Sequence, residues 1–153
     1  DGAAVLNADD PLVAEMAAAC DGEVVYFGLS ARGPVMAAHL AGGGRGVTAA
    51  EGSIWLHADG QQSALIELER VGFTAAGAVR FQLENALAAT AAAWAAGLNP
   101  ALIARGLSTF ATDVRMVPGR FNVFELAGVE VVVDYGHNQA AMQALGQGVQ
   151  GLG

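Results

Sequence analysis

The chain has 153 residues, 54% of them apolar and 14% charged, with a net charge of −8, and all of its basic side chains are arginine, with no lysine anywhere. A chain of this size buries roughly 68–70% of the surface its unfolded form exposes, enough for one core or for one core and a small neighbour. No stretch reaches the roughly 18 uninterrupted apolar residues of a bilayer span, an acidic chain without a basic stripe repels a phosphate backbone, and the lone Cys20 excludes an internal disulfide. These features argue against membrane and nucleic-acid partners, and with no signal-like segment at Asp1 they predict a cytoplasmic setting.

Residues 3–6 form a short apolar run that ends in Asn7, Asp9 and Asp10, after which Pro11 opens an apolar-periodic stretch through Cys20. This pattern predicts a strand followed by a helix, with Asp10 as cap and Pro11 at the first helical position, where its missing N–H costs nothing. A second strand is expected over residues 23–27, and the strand-helix-strand order points to an open α/β sheet. Residues 35–69 change character, with alternating runs such as 53–57 and 64–68 between glycine-rich turns, and predict antiparallel strands that would also carry His39 and His57. Helices are expected over residues 81–96 and 100–110. Gly97 would take the left-handed turn between them, and Asn99 before Pro100 repeats the cap-then-proline start. After a polar loop with Pro118 and Gly119, runs 121–126 and 129–134 flank Ala127-Gly128 and predict a hairpin, followed by a helix from Asn138. One hairpin and one helix bury little by themselves, which predicts that this second unit continues beyond residue 153.

The cluster Asp134-Tyr135-Gly136-His137-Asn138 lies where a strand ends and a helix begins, the place where α/β folds take ligands and helix starts offer free amides. Asp134 could accept ribose hydroxyls, His137 could donate toward a phosphate or carboxylate, and Asn138 could cap the helix; a plain capped helix with a surface histidine fits as well. Arg120, on the connector, is either solvated or placed to grip a triphosphate as two units close, since its planar fork binds oxyanions bidentately. The Asn85 carboxamide matches the N6/N7 edge of adenine, or bonds to nearby backbone. Asn7, Asp9 and Asp10 are open between a nucleotide-site wall and capping. The run from Gly42 to Gly46 lacks the following Lys-Ser/Thr of a phosphate loop and reads as a turn. His39 and His57 have no partners at metal-ligand spacing, so no metal site is expected.

Taken in order, Ala4-Val5-Leu6-Asn7-Ala8-Asp9-Asp10-Pro11, then Glu84-Asn85-Ala86-Leu87-Ala88-Ala89, then Pro118-Gly119-Arg120-Phe121-Asn122, then Asp134-Tyr135-Gly136-His137-Asn138, the chain resembles the Mur ligase family. The resemblance covers nearly the whole chain. It implies an α/β fold in which residues 1–119 are the latter part of a central ATP-binding domain and residues 120–153 begin a Rossmann-like C-terminal domain. It also implies ATP and Mg2+ as cofactors of the full-length parent, with Asn85 on adenine, Arg120 on the phosphates as the catalytic residue, and Asp134, His137 and Asn138 on the nucleotide side of the cleft. The implied chemistry is amide formation through an acyl phosphate between a free amino acid and an acidic polymer or peptide, arginine onto polyaspartate being the expected case. The alternatives are another Mur or folylpolyglutamate-type ligase and a non-catalytic nucleotide-binding module, and self-association to a homo-oligomer is open. The family's phosphate loop contains a lysine, so this chain alone is expected to be inactive. Gln139 also replaces the proline usual after His-Asn in the family.

Overall fold

The computed structural model describes residues 2–152; Asp1 and Gly153, the outer ends of the two expected units, lie outside the described residues. The fold is mixed α/β. A five-stranded sheet runs in chain order through β1 (Ala3–Asn7), β2 (Glu23–Gly28), β3 (Arg45–Ala50), β4 (Ser53–Ala58) and β5 (Gln61–Glu67). β1, β2 and β3 are parallel, and β4 and β5 are added antiparallel. The parallel part is covered on both faces, as such strands require. Alternation along β2 divides the core: Val25 points to the side of α3 (Arg80–Ala95) and α4 (Pro100–Thr109), while Tyr26 points to the side of α1 (Pro11–Glu15) and α2 (Pro34–Ala41). α3 lies close on the sheet because Ala86 and Ala91, fully buried, keep it thin there.

The caps expected from sequence are formed. Asp10 accepts from the amides of Leu12 and Val13, and Asn99 accepts from Ala101. Asn7 accepts from the Asp9 amide and Asp9 from the Leu29 amide at 2.7 Å, so these side chains are occupied with backbone. The sharp hairpins are built on Glu51-Gly52, Asp59-Gly60 and Ala127-Gly128, each with positive φ at both residues, the type I′ geometry whose twist matches the flanking strands. The last of these joins β6 (Asn122–Leu126) to β7 (Val129–Val133), and α5 (Gln139–Gln150) follows, capped by Asn138 on the Ala141 amide.

One expectation fails. Strands were expected from residue 35, but residues 34–41 are α2, and β3 pairs parallel with β2. His39 is therefore on a helix, where its ring meets Tyr26 edge-on at 4.8 Å and its Nε2 lies 3.0 Å from the Arg45 carbonyl. Gly44 leaves room for that ring, since a Cβ there would collide with it. Met36, completely buried between this helix and the sheet, shows why helix wins: a short apolar run carries no period of its own, and the crossover needed to bring β3 parallel to β2 decides. The run from Gly42 to Gly46 closes α2 and enters β3, as a turn.

His57 does lie in a strand, buried, with Nε2 at 2.8 Å from Thr48 Oγ1. Burial disfavours the imidazolium and pulls its pKa below 6.5. The unfolded chain then takes up the proton more readily, so His57 favours folding fully above the unfolded value and loses that contribution as the pH falls below about 6.5. Melting temperatures should drop between pH 7 and pH 5, and His57→Gln should flatten the slope; parallel curves for the two proteins would refute the assignment.

Candidate functional site: a cleft between α3, α4 and α5

The segment between α4 and β6 is held by its own side chains. Asp113 accepts from the Arg115 guanidinium at 2.8 Å and from its amide at 2.6 Å, which pulls the half-buried carboxyl down to a pKa of about 2. Asn122, only 2% exposed, binds backbone on both sides of Pro118, and Asp134 at the end of β7 accepts the Phe121 amide at 2.9 Å. Phe121 is buried with φ at +49°, and its ring packs edge-on against Phe81 of α3 at 5.3 Å. Gly148 of α5 faces both rings, so the helix approaches where a side chain would not fit.

This docking leaves a cleft of about 840 Å³ between α3, α4, the connector and α5. Its walls are mostly apolar: Phe73 and Phe110, stacked edge-on at 5.1 Å, Leu107 of α4, and the alanine face of α5 with Leu145. A few polar groups enter it. Asn85 and Gln82 come from α3, Arg120 from the connector, Asp134 from the end of β7, and Asn138 from the cap of α5. Asn85 Nδ2 donates to Gln82 Oε1 at 3.3 Å, which orients the carboxamide. Apolar and aromatic walls with few oriented polar groups suit a flat heterocycle such as a nucleobase, and the volume lies in the usual range for small-molecule sites.

Four of the five residues singled out from sequence, Asn85, Arg120, Asp134 and Asn138, therefore line one cleft although up to 53 positions separate them. His137 is not among the lining residues; it is exposed, its ring tilted against Tyr135 at 5.6 Å and its Nδ1 at 3.3 Å from the Tyr135 carbonyl. The Arg120 guanidinium lies 5.7 Å from the same Tyr135 ring. Among the described residues no group of three or more His, Cys, Asp or Glu side chains gathers as a metal site. Sequence reasoning passed over Gln82, although its i,i+3 spacing to Asn85 puts both on one helix face. Nothing local marks Asn122 either, since its side chain bonds ten residues back.

Over 98% of its length the chain is 37% identical to a cyanophycin synthetase of Geminocystis herdmanii and 38% identical to one of Crocosphaera subtropica, covering 17% of each. Over 92% of its length it is 36% identical to a UDP-N-acetylmuramoyl-L-alanyl-D-glutamate--2,6-diaminopimelate ligase of Geobacter metallireducens, covering 24% of that protein. The chain is thus similar to a segment of these ligases. No family model matches it. The chain spans about a sixth of the length of the cyanophycin synthetases it matches. Among the described residues no helix is long and apolar enough to cross a membrane.

Proposed function

We propose that this chain supplies the nucleotide side of the catalytic cleft in an ATP-dependent amide ligase, with arginine joined to a polyaspartate backbone as the reaction of the full-length protein. The reading is carried by the convergence of Asn85, Arg120, Asp134 and Asn138 on one cleft with apolar walls. The division into a central unit, residues 1–119, and a C-terminal unit, residues 120–153, is part of it, and the cleft lies along their border. Asn85 meets adenine, Asp134 the ribose, Arg120 the phosphates, and Asn138 completes the helix start. ATP would phosphorylate the substrate carboxylate, the amine would displace phosphate from the acyl phosphate, and closure would exclude the water that hydrolyses it. Mg2+ would neutralise phosphate charge. The chain contains no lysine, so the lysine of a phosphate loop must come from elsewhere in the full-length protein, and this chain by itself is inactive as a ligase.

Removal of the adenine contact tests the reading. Asn85→Ala should weaken ATP binding by about tenfold, the worth of one or two hydrogen bonds, and should shrink the preference for ATP over GTP. Calorimetric titration of the full-length protein with both nucleotides gives the numbers, and unchanged affinity and selectivity would refute the assignment of Asn85.

A further inference from the structure

Arg120 is the middle residue of a span whose two neighbours are both tied down. Gly119 donates its N–H to Asn122 Oδ1 at 2.7 Å and accepts from the Tyr135 amide at 2.8 Å. Phe121 donates to Asp134 Oδ2 at 2.9 Å. The Asn122 carboxamide spends both of its N–H donors on backbone, reaching Thr112 O at 2.7 Å and Val117 O at 3.2 Å. One buried side chain thus folds residues 112–119 onto the start of β6, and the direction in which the chain leaves Gly119 is set before the exposed Arg120 guanidinium is reached.

We infer that Asn122 is the positioning residue for Arg120: its buried carboxamide, together with Asp134, clamps the connector to the hairpin, so that Arg120 is presented to the cleft and moves with the hairpin rather than with α4. Connectors are ordinarily soft, because their backbone groups bond to water. Here three part-buried backbone groups of the connector depend on one amide, and losing it leaves all three without that partner. Asp134 has a double place in this arrangement, as cleft lining and as acceptor for Phe121, so the clamp and the nucleotide site share a carboxylate. The inference rests on the nucleotide reading of the cleft, and two measurements separate the fates of the two.

The first is a double-mutant cycle on ATP affinity in the full-length protein, with Asn122→Asp and Arg120→Ala alone and together. Asn122→Asp keeps the acceptor for Gly119 but sets an oxygen against the Thr112 and Val117 carbonyls, and should weaken ATP by about tenfold. In the Arg120→Ala background the same change should cost less than about twofold, because contacting or coupled residues are non-additive. Losses that simply multiply would overturn the inference, since a general loosening of the fold does not depend on whether Arg120 is present. The second is backbone amide exchange in the full-length protein. With Asn122→Ala, the amides of Gly119 and Phe121 should exchange at least about tenfold faster, while those pairing β6 with β7 keep their protection. Unchanged exchange at these two amides overturns the clamp whatever the nucleotide result. An absence of ATP binding in the unaltered protein would instead sink the nucleotide reading and leave the exchange result to decide the clamp.

Discussion

If the proposed reaction holds, Arg120→Ala in the full-length protein is expected to cut ATP-dependent phosphate release by at least about 100-fold, the usual consequence of removing one preorganised contact to charge that develops in a transition state. The planar guanidinium is exposed enough to swing and is carried on a connector whose backbone is tied to Asn122, Asp134 and the Tyr135 amide. It can therefore meet anionic oxygens from the hairpin side of the cleft while Asn85 acts from α3. The loss should fall on kcat more than on KM, because the contact tightens as charge moves. Arg120→Lys should recover only part of the rate, since a point charge does not reproduce the planar fork. Phosphate release with ATP, magnesium, primer and amino acids measures all three proteins, and turnover of Arg120→Ala like the unaltered enzyme would remove the connector arginine from the mechanism.

Gly148→Leu should have the largest effect on the assembly of the cleft. A Cβ at Gly148 would come within 3.1 Å of both the Phe81 and the Phe121 rings, and the rest of a leucine has nowhere to go. Overpacking of this kind costs about 1–3 kcal/mol, which for a chain of this size lowers the melting temperature by roughly 2–4 °C per kcal/mol. The strain sits where α5 meets α3, so α5 and the hairpin should lift away and ATP affinity should fall with the stability. Gly146 is the internal control. It belongs to the same helix, a Cβ there meets nothing within 4 Å, and Gly146→Ala should raise stability by up to about 1 kcal/mol through helix propensity alone. Calorimetry of the two variants distinguishes a packing seam from general sensitivity of α5; equal changes in both would mean that the seam does not hold the cleft closed.

Local chemistry was sufficient for much of the fold. Asp10-Pro11 and Asn99-Pro100 announce helix starts because an extended cap with an oxygen acceptor and a proline at the first helical position solve the same problem of free amides, and both caps form as read. The Ala127-Gly128 hairpin and the left-handed Gly97 follow equally from residue type. Residues 35–41 form a helix where strand was expected, because seven apolar-rich positions after Pro34 fit a strand or a helix alike, and only the need to carry the chain over the sheet before β3 selects helix. The candidate site was legible as residue types at the ends of elements, but His137 shows the limit of that signal: a histidine one position from a lining cap can face solvent instead.

By itself, then, the order of residues determined the caps, the tight turns, the α/β alternation and which polar side chains stand at element ends, since each of these depends on neighbours within a few positions. Tertiary structure alone decided that α5 docks on α3 at Gly148, that Asn85 and Arg120 share a cleft, and that Asn122 reaches back to Thr112 and Val117. Those arrangements depend on shape and on hydrogen-bond capacity left over between distant segments, and neither quantity exists until the segments are packed together.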